Sequence, residues 1–130
     1  MNFKRFSLLL WLILLLFGAC KNDKANTPTE AQRHEIVHEQ VDSIIQAINK
    51  SIPADQNPQI FLDAVDKGTV FLEILNPIML TQNMGSEGAK AYMKKVVSTL
   101  TNYNGINSVN FKFPEGNHAQ PGTYSMKDFE

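Results

Sequence analysis

The 130-residue sequence predicts a small α+β domain, with two helices packed on one face of a small, mainly antiparallel sheet. Two helices are predicted because apolar residues recur every three or four positions in two segments, 37–48 and 89–103. A second observation predicts the sheet, since short β-type runs bounded by turn residues lie between and after these segments. The predicted order is α-β-β-α-β, with a possible final strand.

The first helix is predicted to begin at Thr27 and to end before Pro53. Thr27 can cap it, Pro28 suits the first helical position, and Glu30 can complete a capping box. A proline disfavours helical geometry in the residue before it, so Pro53 marks the end, and 54–58 is a polar loop. The core-facing stripe of this helix is Val37, Val41, Ile44, Ile45 and Ile48.

Two β-type runs follow, at 60–65 and 69–75, and the turn residues Asp66, Lys67 and Gly68 between them predict a hairpin. Phe71 falls on the polar face of the second run, which suggests that this face is partly covered. The segment 78–85, rich in Met and Asn, is predicted to be a loop. One face of the second run carries Val70, Leu72 and Ile74.

The second helix has the clearest pattern. Ser86 can cap it, Glu87 suits the positive end of its dipole, and Asn104-Gly105 stops it. A half-buried strand at 109–113 follows, and 124–129 is a candidate edge strand. The apolar stripe of this helix consists of Ala89, Tyr92, Met93, Val96, Val97, Leu100 and Tyr103.

The charge balance argues against nucleic acid as a partner. The chain has 12 basic and 13 acidic residues, a net charge of -1. Lys4 and Arg5 fall in the predicted export segment, so the mature part has an acidic surplus. A protein that binds nucleic acid needs cationic side chains to neutralise phosphates, and no surplus of them remains.

The first 20 residues are typical of an exported, lipid-modified protein. Lys4 and Arg5 precede a continuous apolar run at 8–19, which is too short to span a bilayer as a helix and suits a cleaved signal peptide. Phe17-Gly18-Ala19-Cys20 resembles a bacterial lipoprotein lipobox, which implies that Cys20 becomes the acylated mature N-terminus, bearing diacylglycerol and an acyl chain such as palmitate. We therefore expect a signal peptide at 1–19, a lipidated cysteine and tether at 20–28, and a folded domain at 29–130. The expected location is the cell envelope, with the membrane as a partner through Cys20.

One motif points to a different chemistry. His34-Glu35-Ile36-Val37-His38 is an H-E-x-x-H pattern on a predicted helix, which sets two imidazoles on one face and a glutamate near a metal-bound water. Catalytic zinc needs a third protein ligand, and the candidates are His118, in a loop, and Glu73. A zinc-dependent hydrolase or zinc-binding protein using His34, Glu35 and His38 is therefore the alternative function.

The second half of the chain resembles the GerMN domain of spore-germination-type envelope lipoproteins. The resemblance rests on Lys67-Gly68-Thr69-Val70-Phe71-Leu72-Glu73-Ile74, Gly85-Ser86-Glu87, Val96-Val97-Ser98-Thr99-Leu100-Thr101 and Gly105-Ile106-Asn107-Ser108-Val109-Asn110-Phe111. It covers about 41–116, and the block from Thr99 to Val109 is its most specific part. The chain departs from the family because no strand precedes its first helix and because its tail after Phe113 is different.

The resemblance implies an α+β fold and a non-enzymatic role in envelope organisation, through binding of other envelope proteins or cell-wall components. It supplies no catalytic residues. We accordingly expect a non-catalytic binding or assembly domain with no cofactor and no assigned metal site. A third interpretation is a soluble binding module whose partner surface is the loop from Met79 to Met84.

Overall fold

The computed structural model describes residues 27–51 and 58–130. The predicted signal peptide (1–19), Cys20 and most of the predicted loop at 54–58 lie outside the described residues. The order of helices and strands is α-β-β-α-β-β, which confirms the predicted α+β class. The elements are helix α1 (Glu30–Lys50), strands β1 (Ile60–Asp66) and β2 (Thr69–Ile74), a π-helical turn (Met79–Asn83), helix α2 (Gly85–Thr101), strands β3 (Ser108–Lys112) and β4 (Gly122–Tyr124), and a 3-10 helix (Met126–Phe129).

The four strands form one mixed sheet in the order β1-β2-β3-β4. β1 pairs with β2 and β3 pairs with β4 in the antiparallel sense, whereas β2 and β3 are parallel. The connection allows the parallel pair, since the chain crosses over through α2 between β2 and β3 and can therefore return in the same direction. The sheet is therefore mainly antiparallel, as predicted, with one parallel pair at its centre.

Both helices contribute to a single core, which lies against one face of the sheet. The apolar stripe predicted for α1 is confirmed, because Val41, Ile45 and Ile48 are buried and Val37 packs at the edge of the core. Tyr103, the last residue of the stripe predicted for α2, also packs at the edge of the core. From β2, the predicted inner residues Val70, Leu72 and Ile74 are all buried. The buried stripe of α2 consists of Ala89, Tyr92, Met93, Val96, Val97 and Leu100.

The two helix starts differ from the prediction. Thr29, not Thr27, is the N-cap of α1, because Thr29 has a glutamine three residues later and the two form a reciprocal capping box. Helix α2 begins at Gly85 with no side-chain cap. The hydroxyl of Ser86, predicted to cap, instead lies 3.0 Å from Nδ1 of His118.

Two segments outside the main elements were also predicted wrongly. The segment predicted as a loop at 78–85 contains the π-helical turn, whose Leu80 is fully buried in the core. The tail predicted as an edge strand at 124–129 has only its first residue in β4 and then forms the 3-10 helix. In both segments one apolar side chain, Leu80 or Phe129, is buried in the core. The free energy gained by this burial outweighs the local conformational preference of the segment, so a short helical turn forms.

The predicted hairpin between β1 and β2 is present. Lys67 and Gly68 both have positive φ, 45° and 81°, which is the type I′ geometry favoured in two-residue hairpins. The carbonyl of Gly68 accepts the backbone N–H of Asn107 at 2.8 Å. A Cβ on Gly68 would lie 2.7 Å from the Gly105 oxygen, so this turn can pack against the α2–β3 connection only with glycine there.

Candidate functional site

The H-E-x-x-H residues lie on the N-terminal half of α1, as predicted. His34, Glu35 and His38 are all exposed, and together with Glu39 they line a shallow, open depression on the helix surface. The capping box at Thr29 fixes the first turn immediately before them, so this part of the helix is regular. The two imidazoles therefore stand one helical turn apart on an accessible surface.

The structure does not bring a third ligand to these histidines. Within 27–51 and 58–130, no three His, Cys, Asp or Glu side chains are grouped so that they could hold a metal ion. His118 contacts Ser86 at the start of α2, whereas His34 shares a cleft with Gly105, beyond the end of that helix. A helix of 17 residues is about 25 Å long, so His118 and His34 are at opposite ends of the domain.

That cleft lies between α1 and the two connections opposite it, and the sequence gives no signal for it. Its volume is about 230 Å³, and its wall is formed by one side of α1, the β1–β2 turn and the α2–β3 connection. Arg33 and Lys67 bring positive charge to its rim, Glu30 brings negative charge, and Val37 and Ile106 line its floor. Because the rim carries charges of both signs and the floor is apolar, the cleft favours no single class of ligand.

A serine–histidine pair, also unpredicted, joins the tail loop to α2. Besides the Ser86 contact, His118 donates its backbone N–H to the Thr81 carbonyl at 3.1 Å. Gly116 packs so closely on buried Thr81 that an added Cβ would lie 2.2 Å from the threonine Cβ. These contacts dock the loop on the core, and we assign the pair a structural role.

The Met79–Met84 segment offers a partner less exposed surface than an open loop would. Leu80 and Thr81 are buried, and the Thr81 hydroxyl donates to the Pro77 carbonyl at 2.8 Å. Met84 is partly buried and packs against the core. Most of this segment serves packing, although Ile78 just before it is exposed.

The outer face of the sheet is not covered by either helix. Phe71 lies there, partly buried, beneath an ion pair between Lys112 and the bulged strand residue Asp63. The Lys112 ammonium is 5.6 Å from the centre of the Phe71 ring, a distance at which cation–π attraction operates. The partial cover expected for Phe71 therefore comes from the charged side chains of neighbouring strands.

Three apolar side chains are exposed at one end of this sheet, and we name them the distal patch: Phe61, Leu75 and Ile78. Their exposed fractions are 48%, 62% and 54%. Phe61 lies opposite Glu73 in the β1–β2 ladder, and Leu75 continues β2 by donating its N–H to the Gln59 carbonyl. Phe61 and Leu75 are thus diagonal neighbours around an exposed carboxylate.

The distal patch and the start of α1 lie at opposite ends of the domain. The side chain of Asn49, near the end of α1, bonds both backbone groups of Ile60, next to Phe61. Glu30 and Asn49 are 19 residues apart on one helix, or about 28 Å along its axis. No described helix is long and apolar enough to cross a membrane.

No family model, curated protein or solved structure matches the chain.

Proposed function

We propose that this protein is a lipid-anchored bacterial envelope protein whose non-catalytic domain, GerMN-like in its sequence pattern, binds another envelope protein through the distal patch. The observation that carries the proposal is the position of that patch. Phe61, Leu75 and Ile78 expose apolar surface at the end of the domain that is remote from the start of α1.

The anchor determines which end faces the membrane. Cys20 precedes Thr27 by seven residues, which span at most about 25 Å when fully extended. Acylation at Cys20 therefore holds the start of α1 close to the lipid. The distal patch then faces away from the bilayer, so a protein of the envelope is a better occupant for it than the membrane itself.

The chemistry of the patch specifies the kind of partner. A cluster of exposed apolar side chains favours a partner that can cover it with apolar side chains of its own. Glu73 lies beside Phe61 in the same surface, and a carboxylate that becomes desolvated at an interface needs a cationic partner. We therefore expect the partner to present an apolar segment that contains a lysine or arginine.

Photo-crosslinking in the native host, followed by reconstitution, tests this proposal. A benzophenone amino acid at Phe61 is expected to capture one envelope protein, and the same probe at exposed Asn102, beyond the end of α2, is expected not to capture it. The purified partner should then bind the chain, with affinity reduced at least tenfold by the Phe61→Ser, Leu75→Ser double variant. Glu73→Gln should weaken binding less and reduce its dependence on salt.

Three outcomes would contradict the proposal. They are capture of wall glycan or a second copy of the chain alone, equal capture at both probe positions, and unchanged affinity of the double variant. The variants sit on exposed positions, so their thermal unfolding should stay close to that of the parent, which separates loss of binding from loss of fold.

The zinc-hydrolase alternative requires a third ligand beside His34 and His38. The described residues do not provide one there. We therefore propose no catalytic role for Glu35.

A further inference from the structure

We infer that His34 and His38 form a two-histidine chelate for a divalent transition metal on the surface of α1, without a role in hydrolysis. This inference is independent of the proposed partner at the distal patch. It rests on the placement of the two imidazoles and on the shape and charge of the surface around them.

The spacing of the histidines suits chelation. Residues four apart on an α-helix have Cβ atoms about 5–6 Å apart on the same face, within reach of one ion for two imidazoles. A metal ion binds imidazole nitrogen at about 2.0–2.1 Å, so the rings must converge, and adjacent helical turns allow this. Residues 34–38 lie within a continuous helix that begins at Glu30, so the spacing is built into the fold.

The histidines are also accessible. Both are exposed, and with Glu35 and Glu39 they surround the same shallow depression. In the described part of the chain, the imidazole that forms a hydrogen bond is that of His118. A cation at His34 and His38 would therefore displace solvent rather than an existing protein contact.

The charge around the pair favours a cation. Glu35 and Glu39 border the depression, and a carboxylate that lines the same depression attracts a divalent ion even near the surface. A surface chelate with two protein ligands leaves the remaining metal positions to water. Imidazole donors suit copper, zinc and nickel, and among these Cu²⁺ should bind most tightly.

The lack of a third protein ligand among residues 27–51 and 58–130 distinguishes this site from a catalytic zinc centre. Catalytic zinc is held by three protein ligands, which fix its geometry and leave one open position. Two ligands on one helix suffice to bind a metal and to stabilise that helix, but they do not build a substrate site. Metal binding at His34 and His38 is therefore compatible with a non-catalytic domain.

The test is a titration of the detergent-solubilised, untagged full chain with Cu²⁺ alone and, separately, with Zn²⁺ alone. We expect one ion per chain and a rise in the thermal unfolding midpoint as metal is added, because an ion that binds only the folded chain stabilises it. His34→Ala and His38→Ala should each weaken binding by roughly tenfold or more, since losing even an outer-shell partner commonly costs about 10–100-fold. Cu²⁺ should bind more tightly than Zn²⁺.

Two controls separate chelation from other effects. His118→Ala removes a histidine remote from the pair and should leave the titration unchanged. A His38→Ala, Gln40→His variant keeps two histidines and both glutamates on α1 but rotates one histidine by about 200° around the helix, and it should lose binding. The inference is overturned if the double variant His34→Ala, His38→Ala binds as the parent does, or if the relocated histidine supports equal affinity.

Discussion

At the scale of single residues, Tyr92 connects the centre of α2 to the segment that leads into β1. Its side chain is 5% exposed, and its hydroxyl donates to the Pro58 carbonyl at 2.9 Å. Burial raises the pKa of this phenol far above its usual value, because the ionised form would lose its hydration. The folded chain therefore keeps a proton that the unfolded chain releases at about pH 10.

The sign of the pH dependence follows from this difference. The stabilisation linked to Tyr92 is complete below about pH 10 and is lost as the pH rises above it, because there the unfolded state binds fewer protons than the folded state. We predict that Tyr92→Phe reduces the fall in unfolding free energy between neutral and strongly alkaline pH. The variant should also lose about 1–3 kcal/mol at pH 7, because the buried carbonyl loses its donor.

Urea unfolding across this pH range measures both effects. Tyr124, whose pKa is also raised by burial and then by Asp128, should leave a smaller residual slope. Tyr124→Phe is the matched control and should keep more of the parental slope than Tyr92→Phe does, because Tyr124 is the less buried of the two. An identical alkaline slope in the parent and in Tyr92→Phe would refute the assignment.

At the scale of elements, Asn49 attaches the end of α1 to the start of β1. Its amide donates from Nδ2 to the Ile60 carbonyl at 2.8 Å and accepts the Ile60 N–H at Oδ1 at 3.1 Å. Ile60 has no exposed surface. Its N–H and carbonyl lie on the side of edge strand β1 that faces away from β2. The side chain therefore acts as a one-residue extension of the sheet and satisfies groups that water cannot reach.

We predict that Asn49→Ala lowers the unfolding free energy by about 2–4 kcal/mol, because it removes two hydrogen bonds and leaves two buried backbone groups unpaired. Asn49→Asp keeps an acceptor but, when ionised, has no proton for the Ile60 carbonyl, so it should not restore stability. Gln46→Ala, which removes an exposed 2.8 Å bond to Asp42, is the control and should change stability by about 0.5 kcal/mol or less. Equal effects of Asn49→Ala and Gln46→Ala in urea unfolding would contradict this account.

Elements with a long periodic pattern could be predicted from the sequence, and those fixed by a single tertiary contact could not. The α2 stripe spans several turns, so its buried face follows from spacing alone. The π-helical turn at Met79–Asn83 is too short to show a period and depends on burial of Leu80. The bonds between Asn49 and Ile60 join positions 11 residues apart, for which local sequence carries no signal.

At the scale of the whole molecule, the fold separates two surfaces that are unrelated in sequence. The histidine pair lies near the start of α1, and the distal patch lies beside its end. The histidine motif was readable from sequence because its spacing is local. The patch could not be read in this way, because it combines a residue of β1 with two residues that follow β2, which only the paired strands bring together.

The separation of the histidine pair from the distal patch matters for function only if the chain is anchored to the membrane at its N-terminal side. Acylation at Cys20 would hold the start of α1 near the membrane and direct Phe61, Leu75 and Ile78 away from it. Without acylation, the two ends of the domain are equivalent with respect to the bilayer. Acylation of Cys20 is therefore the claim on which the proposed orientation of the domain depends.

Intact-mass measurement of the protein extracted from membranes tests that claim most directly. We predict a chain that begins at Cys20, with the mass of residues 20–130 increased by a diacylglyceryl group and an acyl chain. The Cys20→Ser variant should lack this increase and keep residues 1–19. A mature chain without lipid, or one cut at another residue, would contradict lipid anchoring and with it the assignment of membrane-facing and partner-facing ends.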